Sequence, residues 1–197
     1  MTAGLPLHPV LYSFLVAFAF NLIPLGAPPY ISVVLLEVRY GGEGFWPPVL
    51  AASAGAAAAK VVMYYFGVGF KGVLRRNRNV RFLSRYADSP WAYALAFFAA
   101  VVPVLPLDDF VYMAGGASGL RAKLMGLIAA AAKVLKTVIE VSAADYFIGL
   151  VSYAFKLPEW ELIAVLAVLG SLSGLAVFLL DWEGLAERLG LLRGQDT

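Results

Sequence analysis

Two apolar stretches of this chain are cut by closely spaced prolines, and these cuts limit its folding options more than any other feature. Residues 9–23 are apolar, break at 24–29 around Pro24, Pro28 and Pro29, and resume over 30–38. Residues 91–102 break likewise at Pro103 and Pro106, and the apolar run resumes over 110–120. Proline lacks a backbone donor and clashes with the preceding turn, so each helix must stop there. At 1.5 Å per residue each arm is about 14–22 Å long, too short to cross a bilayer core of about 30 Å.

Composition says where those arms must lie. The chain has 197 residues, 61% hydrophobic and 14% charged. A soluble domain is nearer 45–50% apolar and about 25% charged. A core this small cannot hide so many apolar side chains, so the rest face lipid. Non-helical backbone is tolerated in a bilayer only where it is buried in protein or lines a wet cavity. Residues 9–40 and 90–120 are therefore expected to form two re-entrant hairpins with tips deep in the membrane.

Three uninterrupted runs complete a single membrane domain over 1–197: spans at 47–70, 121–152 and 162–180. The tail 181–193 carries Trp182, Leu185, Leu189 and Leu192 at helical spacing and predicts a short amphipathic interfacial helix. No Lys or Arg precedes the first apolar run, so no cleavable signal peptide is expected. Loop 71–89 is the most basic segment, with Lys71, Arg75, Arg76, Arg78, Arg81 and Arg85. Placing it in the cytoplasm puts Arg121, Lys123, Arg188, Arg193 and the C-terminus there too, so ten of the fifteen Lys and Arg lie on that side. The predicted protein is a multi-pass protein of the cell membrane. Its hairpins enter from opposite faces.

The runs after each hairpin share a hexapeptide: 56–61 and 129–134 both read AAAAKV. A hairpin plus helix, twice, in opposite orientation, is the layout of an inverted-repeat transporter. The predicted fold class is an all-α integral membrane protein: this inverted repeat, one further transmembrane helix and the C-terminal amphipathic helix.

Charge inside a span costs at least about 2.5–3.5 kcal/mol on insertion scales. Lys60, Asp108, Asp109, Lys133, Lys136, Glu140 and Asp145 must therefore be paired or hydrated. Lys133, Lys136 and Glu140 share one helix face, and Lys136 can pair with Glu140. Asp108 and Asp109 are expected to meet Lys133 or Lys60. This cluster is the candidate substrate- and ion-binding site; the plainer alternative is a set of ion pairs fixing hairpins against helices. Glu37 and Arg39 read as solvated interfacial charges.

Other chemistry is poorly supplied. The chain has no Cys and one histidine, His8, which excludes thiolate chemistry and a multi-His metal site. No cofactor is indicated, and a net charge of +2 does not point to nucleic acid. Gly116-Ala117-Ser118-Gly119 matches the short string around the nucleophile of rhomboid-like proteases, but Ser118 lacks an obvious imidazole base. An enzyme is not expected.

The run Pro103-Val104-Leu105-Pro106-Leu107-Asp108-Asp109-Phe110, then Gly115-Gly116 and an Ala-rich helix with Lys133, resembles the DedA/VTT superfamily of SNARE-associated membrane proteins, in its archaeal and bacterial members. The likeness covers roughly residues 15–155. It implies opposed re-entrant hairpins and movement of polyprenyl-phosphate or phospholipid headgroups between leaflets by a flippase or scramblase. Protons or Na+ are the candidate coupling ions. Where many members carry Arg on either side of the hairpin proline, this chain has Ala100 and Pro106. An ion or small-molecule channel or exporter on the same inverted repeat is the alternative.

Overall fold

A computed structural model describes residues 8–23, 29–85, 89–101 and 107–179. Pro24, Pro28, Pro103, Pro106 and the expected interfacial helix 181–193 lie outside the described residues. Among those described, every regular element is a helix. α1 (Pro9–Leu22) and α2 (Tyr30–Tyr40) flank the first proline cluster, and α6 (Pro90–Val101) and α7 (Leu107–Ser118) flank the second. Pro29 is the N-cap of α2, where its fixed φ and missing donor do no harm.

The two long helices are α3 (Trp46–Gly69) and α8 (Ala122–Phe155), and α9 (Glu159–Leu179) follows. Among the described residues, α3 is the one helix long and apolar enough to cross a membrane. Val10–Leu22 and Pro90–Val101 are apolar but shorter. The α8 segment, expected as a clean span, carries Lys133, Lys136, Glu140 and Asp145 along its length. The basic segment, expected as a loop, instead forms α4 (Lys71–Leu74) and α5 (Arg78–Arg85). α5 is too charged to show as an apolar run, but it buries Val80 against Ala114 and Ala117 of α7.

α1 lies on α3 and α6 lies on α8, so the first helix of each proline-flanked pair packs on the long helix that follows that pair. Of the second helices, α7 packs on α3, whereas α2 lies among α3, α8 and α9. Lys60 meets Asp109 and Val68 lies beside Gly116, so α3 and α7 run in the same direction. Tyr30 meets Thr137 and Arg39 meets Asp145, so α2 and α8 do likewise. α9 runs against α2, with Gly170 beside Pro29 and Glu159 beside Arg39.

Small residues permit these approaches. A Cβ on Gly67 would strike the Met113 carbonyl, and one on Gly116 would strike the Tyr64 carbonyl. Gly55 gives α3 the same clearance against Phe14 of α1. In the repeated hexapeptide Ala56, Ala59, Ala129 and Ala132 are fully buried where α3 and α8 meet.

Candidate functional site

The hexapeptide lysines occupy the interior. Lys60 is 2% exposed and Lys133 1% exposed. Each stands on a long helix, and each is reached by a segment from the other repeat. Lys60 of α3 pairs with the Asp109 carboxylate in the first turn of α7. The unsatisfied N–H groups of that turn favour a carboxylate there. Asp108 lies in the same turn.

Lys133 of α8 donates to Asn21 Oδ1 of α1 at 3.0 Å. Asn21 Nδ2 donates in turn to the Ala17 carbonyl at 2.8 Å, which turns the amide oxygen toward the ammonium. One turn beyond Lys133, the buried Thr137 hydroxyl shares a 2.9 Å hydrogen bond with the Tyr30 hydroxyl of α2. Lys136 and Glu140 approach to 4.0 Å across one helical turn.

A cavity of about 370 Å³ opens beside Lys60, between α3 and the start of α8. Lys60, Tyr64, Tyr112 and Met125 are its buried lining, while Tyr65 and Lys123 are exposed. The Tyr64 hydroxyl, also on the wall, donates to the Leu120 carbonyl at 2.6 Å. The volume falls within the roughly 300–1,000 Å³ of small-molecule sites. Its wall thus sets the Lys60–Asp109 pair beside tyrosines that offer apolar rings with polar tips.

Arg39 departs from its expected role as a solvated charge. Its side chain is only 15% exposed, and three elements converge on it. Nε donates to Asp145 Oδ1 at 2.7 Å, Nη2 to the Asp145 carbonyl at 2.7 Å, and Nη1 pairs with Glu159 of α9. The planar guanidinium can serve both carboxylates at once, which an ammonium does less well. Asp145, expected among the charges inside a span, is thereby neutralised.

Ser118 stands at the C-terminal end of α7. Gly119 sits at φ +91°, and the Leu120 and Gly119 amides donate back to Gly115 and Gly116, the pattern that closes a helix C-terminus. The Ser118 hydroxyl donates to the Val80 carbonyl at 3.1 Å, and His8 pairs with Glu43. Among the described residues no three His, Asp or Glu side chains gather as a metal site would need.

Sequence reasoning missed Asn21, Tyr30 and Thr137. Asn21 had one visible signal, an amide in an otherwise apolar run. Thr137 stands four residues after Lys133, on the same face, as Tyr64 does after Lys60.

Among the described residues the fold is all-helical, and its two longest helices each bury one lysine of the repeated hexapeptide. Comparison with protein-family models, curated proteins and solved structures returns no match.

Proposed function

We propose that this protein is a multi-pass membrane transporter that moves lipid headgroups between leaflets, as a flippase or scramblase acting on polyprenyl-phosphate or phospholipid. The observation carrying this reading is the crossed burial of Lys60 and Lys133, with Lys60 lining a cavity. A buried ammonium within a chain of this hydropathy is costly unless it is used or matched. The outer surface supports the bilayer setting. Leu95, Phe98, Leu127, Leu169 and Leu172 are each more than half exposed, a pattern that suits lipid and not water.

In this mechanism a phosphate headgroup enters the cavity past Lys123 and takes the place of the Asp109 carboxylate on Lys60. The acyl or prenyl tails stay in lipid. The displaced Asp109 carboxylate is the group on which a coupling cation, H+ or Na+, would be held. The basic segment with α4 and α5, together with Arg121 and Lys123, faces the cytoplasm.

The test uses purified protein in vesicles of phosphatidylcholine and phosphatidylglycerol, with a fluorescent lipid and a membrane-impermeant quencher. Wild type should expose the inner-leaflet lipid to quenching, and Lys60→Met should not. Ion flux through the same vesicles without lipid movement would replace this reading with the channel alternative.

A further inference from the structure

Charge divides between the two ends of the helices. The guanidinium of Arg75, the C-cap of α4, donates to the Ala117 carbonyl at the end of α7 at 2.9 Å. The Arg121 amide, just before α8, donates to the Tyr93 hydroxyl in the first turn of α6 at 3.0 Å. These bonds gather the ends of α4 and α7 and the starts of α6 and α8 on one side of the molecule. Lys71, Arg76, Arg81, Arg85 and Lys123 stand there, all exposed, and none meets a carboxylate among the described residues. Asp88 is the one acid between residues 61 and 107, and residues 110–139 contain none. Acids collect at the other end, with Glu37 and Glu43 about the end of α2 and Glu159 and Glu161 at the start of α9.

The short α5 turns part of this charge outward. Val80 is buried against Ala114 and Ala117 of α7, Leu83 packs beside it, and the Ser118 hydroxyl donates to the Val80 carbonyl at 3.1 Å. That seat fixes the roll of the helix about its axis. Arg81 and Arg85, one turn apart, share an outer face and are exposed. Apolar groups are interleaved with the cations. Phe70 is 56% exposed and Val73 65%, on either side of Lys71, and Trp91 at the start of α6 is 82% exposed.

We infer that this face binds the anionic phospholipids of the leaflet in which it lies, holding their phosphates on Lys71, Arg76, Arg81 and Arg85 while Phe70, Val73 and Trp91 enter the adjoining hydrocarbon. A guanidinium meets a phosphate with two parallel hydrogen bonds, and a cation without a carboxylate partner gives up no ion pair to do so. An acidic protein or a nucleic acid would match the charge but leave the two rings and Val73 without an apolar partner. An anionic leaflet offers phosphate and hydrocarbon in adjacent layers. The carboxylates at the other end of the molecule repel the same lipids, so the enrichment is one-sided. The inference rests on the bilayer setting of the proposed function and not on transport.

Tryptophan quenching tests this. Trp46→Phe, Trp160→Phe and Trp182→Phe together leave Trp91 as the one tryptophan. A companion protein keeps Trp46 instead, which follows Glu43 at the carboxylate-rich end and is 59% exposed. Each full-length protein is placed in vesicles of about four parts phosphatidylcholine to one part phosphatidylglycerol. Bromine is carried on the tails of the phosphatidylglycerol in one preparation, and on an equal amount of the phosphatidylcholine in another. The ratio of the two quenching efficiencies is the local enrichment of the anionic lipid.

The ratio should be about twofold at Trp91 and about one or less at Trp46. Arg76→Gln, Arg81→Gln and Arg85→Gln together should bring Trp91 to about one while moving the melting temperature by no more than about 2 °C, as exposed substitutions do. Salt at about 1 M, which screens charges beyond about 3 Å, should lower the ratio in the same way without any substitution. A ratio of one at Trp91, equal ratios at the two tryptophans, or a ratio untouched by the three substitutions would overturn the inference. A ratio of one accompanied by saturable binding of polyglutamate or of duplex DNA would give the face to an acidic protein or to nucleic acid instead. Lys60→Met should leave the enrichment intact. Enrichment in a wild type that moves no lipid would defeat the transport reading alone, so the two claims fail separately.

Discussion

Replacing Asp109 by Asn removes the carboxylate beside an ammonium that is 2% exposed. Removing one member of a buried ion pair costs about 3–5 kcal/mol, chiefly because the remaining charge stays buried without its counter-charge. Asp109 keeps 18% of its side-chain exposure, which places the cost near the lower end, about 3 kcal/mol. For a chain of this length each kcal/mol moves the melting temperature by about 2–4 °C, so D109N should melt about 6–12 °C below wild type. The double variant Lys60→Met with Asp109→Leu removes both charges and fills the space with apolar atoms. Such replacements are close to neutral, so it should melt within about 4 °C of wild type. The assay is tryptophan fluorescence on heating in detergent micelles, run beside lipid movement in vesicles. The two readouts separate scaffold from site: the double variant should be stable and inactive. Wild-type transport by that variant would refute the role given to the pair. A D109N melt within about 1 °C of wild type would refute the burial energetics themselves.

Two further outcomes test the packing. Gly67→Ala drives a Cβ into the Met113 backbone, so the α3–α7 contact must open; overpacking of this kind costs about 1–3 kcal/mol, whereas Gly69→Ala meets nothing within 4 Å and should melt like wild type. Tyr30→Phe deletes the partner of the buried Thr137 hydroxyl, and a loss of about 1 kcal/mol, read as a fall in melting temperature of about 2–4 °C, is the expected result.

Much of the helical layout was legible in the residues. The proline clusters and uninterrupted apolar runs lead to helices near their observed limits: 47–70 against Trp46–Gly69, and 121–152 against Ala122–Phe155. The short α5 was not legible, because its helix is stabilised by burying Val80 and Leu83 on α7 and its own residues are mostly charged or polar. Arg39 was misread for a related reason. It stands beside a Gly-rich turn and carries a charge, both marks of an exposed position, yet its partners come from 106 and 120 positions further along the chain.

The residues alone decide that this chain is helical, where its helices break, and that one lysine recurs in each of two matching helices. Those are local matters, set by proline's ring, by apolar run length and by a repeated string. Which segment comes to each lysine was decided by tertiary packing: Asp109 to Lys60, and Asn21 to Lys133. The seating of α7 on α3 arises where Gly67 and Gly116 let the two backbones touch. No periodicity within a single helix carries that information, because shape-matching between distant surfaces selects the partner.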